Sequence, residues 1–278
     1  MSNYARLLLL PVLCATLAAC KPAASPPPVI EVMATDYAFV IPPKIPAGLV
    51  TLNFVNHGKE LHFASIQRLS KDVTMDQIRA KLDSPEPPDF IDESQGGQVG
   101  LVSPGESAQV TVKLVPGKYF IACWIPAPDH APHAAKGMTS IIEVVDDKAG
   151  ERSEPASSVA IALKQTGVDL PKEFKAGKQT WKIVNETGNA QANGIDIVQL
   201  AGGKSFEEAE VSLNQGDFSP IAAAFGGAGG AGPSNTAWLT VDLKPGDYWL
   251  HTNVPDPAAP APAKDQSPKT ISLKFTVK

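Results

Sequence analysis

The segment Cys123-Trp124-Ile125-Pro126-Ala127-Pro128-Asp129-His130-Ala131-Pro132-His133-Ala134-Ala135-Lys136-Gly137-Met138 holds the densest set of reactive side chains in the chain. It places a thiol, two imidazoles and a thioether on one stretch. Such a soft donor set suits copper, since a blue-copper centre takes two His and one Cys around the metal with a weak axial Met. Zinc is a poorer match, because Met is not among its usual ligands. Either His130 or His133 can supply the loop imidazole. The second imidazole must come from elsewhere. His62 is placed for it, after the turn signal Asn56-His57-Gly58 and at the head of a strand over 63–69. Taken singly, Cys123 reads as a buried small hydrophobe, Met138 as core and each His as a surface residue. Taken together, these readings leave unexplained why the one thiol outside the N-terminal segment falls on this loop.

The elements that must position these residues are strands. The loop follows a predicted strand over 118–122 and precedes another over 140–145. Val50, Leu52 and Phe54 alternate, as do Val110, Val112 and Leu114, and Ile271, Leu273, Phe275 and Val277. A period of two puts one face of each strand on a core. The 26 prolines and 22 glycines favour such a turn-rich chain over a helical one.

The pattern occurs twice. Ala47-Gly48 with the strand to Asn56 matches Ala176-Gly177 with the strand to Asn185. The run Val112 to Phe120, with Pro116-Gly117, matches Val241 to Trp249, with Pro245-Gly246. Each half closes on a β-rich segment, Ile141 to Val145 and Ile271 to Val277. Each carries one helix signal at the same place, the capping boxes Thr74-Met75-Asp76-Gln77 and Ser205-Phe206-Glu207-Glu208. Shared order over about 120 residues argues for duplication of a whole domain, since solenoid units repeat at about 20–50 residues. The expected fold is all-β: two tandem Greek-key β-sandwiches, each with one short inserted helix. The expected domains are 29–147 and 158–278, joined by a polar linker over 148–157. The Gly-rich run Gly226 to Gly232 has no following Gly-Lys-Ser/Thr, so it reads as a flexible surface loop and not as a phosphate cradle.

These residues resemble the cupredoxins, the blue-copper fold family, over the first half as one domain and over the second as a degenerate copy. The resemblance implies one mononuclear type 1-like copper in the first domain, held by His62, Cys123, His133 and Met138. It implies outer-sphere electron transfer or copper holding, with a redox or copper-donor protein as partner. Many members carry Asn after the first His, where this chain has Phe63. Aligning Pro116-Gly117 with Pro245-Gly246 sets Thr252 opposite Cys123, and the later strands set Asn193 opposite His62. No Met follows in the second half, so its expected role is structural or as a binding surface. Two-domain relatives include nitrite reductases and small laccases, which need a second, His-rich copper centre. Here Ala122 and Trp124 flank Cys123, no His-x-His occurs, and His251 is the one His of the second half, so no enzyme is expected. Nor is there a Gly-x-Ser-x-Gly elbow. The alternative is a non-metal adhesion or assembly protein on the same scaffold.

The N-terminus reads as an export signal over 1–19. Arg6 is followed by a short apolar run, and Leu17-Ala18-Ala19-Cys20 resembles a bacterial lipobox that implies lipidation at Cys20. That predicts membrane attachment through the lipid, a Pro-rich tether over 20–28, and a cell-envelope location. Lys21 points to the periplasmic face of the outer membrane in a Gram-negative cell. The net charge of −5, without a basic run, gives nucleic-acid binding no electrostatic support.

Overall fold

The computed structural model describes residues 24–82, 89–147, 150–164, 166–171, 173–187, 194–214, 217–230, 236–254 and 269–278. The expected signal, Cys20 and Lys21 lie outside these residues. Among the described residues the fold is all-β, as the alternation predicts, with two α-helices and one 3-10 turn over Ala201–Gly203. The first half runs β1 (Val29–Thr35), β2 (Ala38–Val40), β3 (Lys44–Pro46), β4 (Gly48–Asn56), β5 (His62–Leu69), α1 (Met75–Leu82), β6 (Ile91–Val102), β7 (Ser107–Leu114), β8 (Gly117–Ala122) and β9 (Thr139–Val145). The second repeats the order, except that β3 is reduced to one parallel bridge of Phe174 with Val277: β10 (Val159–Lys164), β11 (Gly167–Asp169), β12 (Gly177–Asn185), β13 (Ile195–Leu200), α2 (Phe206–Asn214), β14 (Ile221–Gly230), β15 (Thr236–Leu243), β16 (Gly246–Val254) and β17 (Lys269–Val277).

Repetition reaches the hydrogen bonds. Tyr119 and Tyr248 each donate a phenolic proton to the carbonyl four residues back, Val115 and Lys244, both at 3.0 Å. Thr51 pairs with Thr111 across β4 and β7, and Thr180 with Thr240 across β12 and β15. Both capping boxes form: Thr74 and Gln77 bond each other's backbone amides, and so do Ser205 and Glu208. Each closes the open amides at a helix start.

The halves do not keep separate sheets. One sheet runs β11-β10-β12-β15-β7-β4-β1-β2 and the other β17-β16-β13-β14-β6-β5-β8-β9-β3, so both cross from one half to the other. A single apolar core cluster accordingly includes Phe54, Val110 and Ile121 from the first half and Trp181, Leu239 and Phe275 from the second. At the seam Val110 pairs with Leu239, and Val99 with Ala228. By the Pro-Gly alignment each of these residues faces its own counterpart, as residues on a two-fold axis do. The seam thereby pairs strand edges that would otherwise stand open.

Close approach at the seam corrects one expectation. Gly226 to Gly230 are not a surface loop but the buried end of β14. A Cβ on Gly227 would land on the Ile195 carbonyl, one on Gly194 on the Ala228 carbonyl, and one on Gly100 on Asp196. The glycines are there because strands and a carboxylate crowd them, a packing demand that composition does not distinguish from looseness. The expected spacer is also partly fixed: the Ser25 carbonyl accepts the Ser153 amide at 2.9 Å, and its hydroxyl accepts from Arg152 at 2.8 Å. From there the chain enters β1, which runs parallel to β4.

Asp196 reaches across the seam and accepts the Leu101 amide at 2.7 Å. Burial pushes its carboxyl up to about 6, against the pull of that amide. A carboxyl raised on folding stays protonated longer in the native state, so stability is lost as pH climbs from the unfolded value toward 6 and stays low above it. Asp196→Asn keeps an accepting oxygen without the charge. Thermal melts are expected to show little change from the parent at pH 4 and a higher Tm for the variant at pH 8.

Candidate metal centre

His62 is the first residue of β5 and Cys123 directly follows β8, two strands that are neighbours in the sheet. Adjacent strand ends therefore carry the first imidazole and the thiol. The loop from Cys123 back to β9 is tied to itself. Cys123 N–H donates to Met138 O at 3.2 Å, Ala134 N–H to Cys123 O at 2.8 Å, His133 N–H to Ile125 O at 2.8 Å, and Met138 N–H to His133 O at 2.9 Å. Each such bond is worth about 0.5–1.5 kcal/mol net, and together they fix the loop before any ligand arrives. The long Cys123-to-His133 spacing is absorbed by a small bulge. Pro126 and Pro132 form an isolated bridge, and Ala127 N–H bonds Ala131 O. His130 sits exposed at the tip of this bulge, with φ of 65°, away from the donors.

His62, Cys123 and His133 are all fully buried, and their donor atoms lie within 4.8 Å of one another. The Nδ1 atoms of the two rings are 3.1 Å apart, and His133 Nδ1 is 3.5 Å from Cys123 Sγ. Two nitrogens at about 2.0 Å and a thiolate at about 2.3 Å from one tetrahedral ion would stand about 3.3 Å (N to N) and about 3.5 Å (N to S) apart. The donor set thus has the dimensions of a first-row metal centre. Met138 is fully buried one residue before β9 and held to Cys123 through its carbonyl.

The outer nitrogens are equally committed. His62 Nε2 meets Asp36 Oδ1 at 2.8 Å, and His133 Nε2 meets Glu60 Oε2 at 2.9 Å. Lys59 N–H donates to the other Asp36 oxygen at 2.8 Å, and Tyr37 O–H donates to Glu60 Oε1 at 2.7 Å. The Tyr37 ring lies 4.7 Å from the His133 ring, and Lys136 Nζ lies 5.3 Å from the Tyr37 ring centre. Buried Asn56 donates to the carbonyls of Glu60 and Val102, each at 2.8 Å, and accepts the Gly58 amide, which sets the loop between β4 and β5.

Burial depresses the basicity of both imidazoles, with the carboxylates pulling the other way. It pushes the Cys123 thiol up to about 11, opposed by amide hydrogen bonds from Phe63 and Ile125. Phe63 stands where many cupredoxins have Asn, and here its backbone contributes to holding the sulfur. Against the cost of burial, the Lys59 amide and His62 keep the Asp36 carboxyl below its ordinary range.

Sequence reasoning missed Asp36, Tyr37 and Glu60. The repeat held a signal for them: the Pro-Gly alignment sets Gln165 and Thr166 opposite Asp36 and Tyr37, and the strand alignment that sets Asn193 opposite His62 sets Gln191 opposite Glu60, so none of the three recurs in the second half. In the second half the register sets His251 against Asp196 as Ala122 is set against Ser65, which makes Thr252 the counterpart of Cys123. The Thr252 hydroxyl bonds the Gly194 carbonyl. His251 stacks on Phe206 at 5.2 Å, and burial pushes it down to about 4. Asn193, opposite His62, lies outside the described residues. Among the described residues, His62, Cys123 and His133 form the one group of this kind.

No protein-family model matches the chain, and no curated protein matches it. Among solved structures it is similar to a dithionite-reduced auracyanin of Roseiflexus castenholzii, at 23% identity over 44% of this chain and 99% of that one, with a TM-score of 0.30. It is also similar to a multicopper oxidase, at 13% identity over 90% of this chain and 88% of that one, TM-score 0.27. A copper-containing nitrite reductase of Thermus scotoductus shares 14% identity over 90% of this chain and 62% of its own, TM-score 0.25.

A buried thiol raised from 9.0 to about 11 has about 100-fold less thiolate at pH 8 than an ordinary one. A water-soluble disulfide reagent is therefore expected to label native, metal-free protein at least about 100-fold more slowly than protein unfolded in guanidinium. Equal rates in the two states would contradict a sealed Cys123.

Proposed function

We propose that this chain is a cupredoxin-like copper protein, with one type 1-like centre in the first half, serving as an electron carrier or a copper holder. The observation that carries this is the convergence of His62 Nδ1, His133 Nδ1 and Cys123 Sγ in a buried, pre-tied pocket. Distances alone fit zinc as well. The buried thioether of Met138, bonded through its backbone to Cys123, tilts the choice to copper. In this reading His62, Cys123, His133 and Met138 would hold the copper, Cys123 through its thiolate, the two histidines through imidazole nitrogens and Met138 through its thioether.

Bound copper would supply a one-electron couple. The chain's own part is to keep the donors fixed in both redox states, which the loop hydrogen bonds and full burial favour, and to exclude water from the thiolate. We read a carrier or holder over an oxidase or reductase because the second half sets Thr252 where the thiol stands and uses its His251 as a stacked, neutral ring. We further propose that the protein is lipid-anchored at Cys20 in the cell envelope, on the strength of the Leu17-Ala18-Ala19-Cys20 run.

Adding Cu(II) to the purified metal-free protein is expected to give an intense thiolate-to-copper absorption band at one ion per chain, lost in Cys123→Ser. A colourless protein with no bound metal would sink the copper reading and leave the adhesion alternative. Reversible bleaching by a mild reductant separates carrier from holder. Because both imidazoles titrate below the ordinary His value and the thiol near 11, binding at pH 7 to 9 should release one proton. The apparent copper affinity is then expected to rise about tenfold per pH unit in that window, as read by competition with a chelator of known pH dependence.

A further inference from the structure

Each imidazole has two nitrogens, and the one that faces a metal must be free of its proton. Which nitrogen is free depends on what the other one meets. Here both Nε2 atoms meet carboxylates, Asp36 Oδ1 at 2.8 Å and Glu60 Oε2 at 2.9 Å. A carboxylate accepts and does not donate, so each ring keeps its proton on Nε2 and turns the Nδ1 lone pair inward. The two lone pairs then face each other across 3.1 Å beside a sulfur, an arrangement that repels unless a cation lies among them.

The carboxylates are themselves held. Asp36 is fixed by the Lys59 amide and Glu60 by the Tyr37 hydroxyl. Gly58 leaves the space that the Asp36–His62 pair needs, since a Cβ there would land on Asp36 Oδ1 and His62 Nε2. Tyr37 closes over the outer side of His133. The side chains of Asp36 and Glu60 remain about a quarter exposed, at 23% and 27%, while both imidazoles are at 0%. No imidazole edge reaches solvent, and the carboxylates form the outer wall of the centre.

We infer that Asp36 and Glu60 are positioning residues for the metal centre, setting the tautomer and ring orientation of His62 and His133 and placing two negative charges just outside the ligand shell. This rests on the metal reading above. Anionic partners raise ligand basicity and stabilise the more highly charged metal state, so they favour Cu(II) over Cu(I) and lower the reduction potential. The same geometry in the absence of metal fixes the protons on Nε2, which gives a readout independent of copper.

The test uses Asp36→Ala, Glu60→Ala, Asp36→Asn, Glu60→Gln and Gly58→Ala. In metal-free parent protein, long-range nitrogen–proton NMR should show both rings protonated at Nε2, and each alanine variant should lose that state for its own ring. In copper-loaded protein each alanine variant should bind Cu(II) about 10- to 100-fold more weakly, the usual cost of losing such a partner. Asp36→Asn and Glu60→Gln keep an accepting oxygen, so they should recover most of the affinity while the potential moves upward. Gly58→Ala should reproduce the Asp36→Ala change in the His62 ring. Alanine variants that stay folded with parent tautomers, affinity and potential would overturn the proposal. Should an alanine variant unfold, an amide variant with unshifted potential does the same. A parent protein that takes up no copper defeats the metal reading alone, and the metal-free NMR comparison still decides the role of the two carboxylates.

Discussion

Three lone-pair donors packed against one another in a dry interior are costly to hold. Neither imidazole of His62 and His133 can turn its Nδ1 to water, and the Cys123 thiol is sealed with them. Such a cluster stays together only where the backbone leaves no other arrangement. Neighbouring strand ends bring His62 and Cys123 side by side, backbone bonds across the Cys123–Met138 loop bring His133 back to them, and a carboxylate at each outer nitrogen stops the rings from flipping. Rigidity of this kind serves a one-electron centre, since donors that are already in place need not move when the charge changes.

The second half contributes to that rigidity without a centre of its own. Strands β7 and β6 of the first half pair with β15 and β14, so neither sheet ends at β6 or β7. Strand β6, joined to β14, is also the partner of β5, whose first residue is His62, and His62 itself pairs with Val102. The same Val102 pairs with Phe225 of the second half. Packing between the halves thus reaches the first imidazole through one shared strand.

Much of this was legible in the residues. Period-two alternation, paired Pro-Gly turns and matched capping boxes indicated the strands, the duplication and both helices, because each is a local rule that the whole fold obeys. Cys123 stood out by chemistry, and the structure sets His133 beside it while the Pro126–Pro132 bulge carries His130 out to the surface. Asp36, Tyr37 and Glu60 escaped because acids and a phenol on a turn look like ordinary surface residues. What makes them part of the centre is the pairing of β1 with β4, which sets Ala34 against Asn56 and so brings the turn at Asp36 and Tyr37 to the loop before His62. The Gly226 to Gly230 stretch misled for a related reason: glycine marks either freedom or crowding, and only the partner strands tell which.

The parallel pairing of β1 with β4 has a consequence for geometry at a membrane. Val29 pairs with Thr51 at one end of these strands, and Ala34 pairs with Asn56 at the other, beside Asp36 and Glu60. The chain therefore enters at the pole remote from the metal centre, where Ser25 is pinned to Arg152 and Ser153. The five residue steps from Cys20 to Ser25 reach at most about 18 Å. Were the proposed lipid at Cys20 present, the end of the sandwich next to it would be the one remote from His62, Cys123 and His133. That leaves the face holding Asp36 and Glu60 clear of the tethered end.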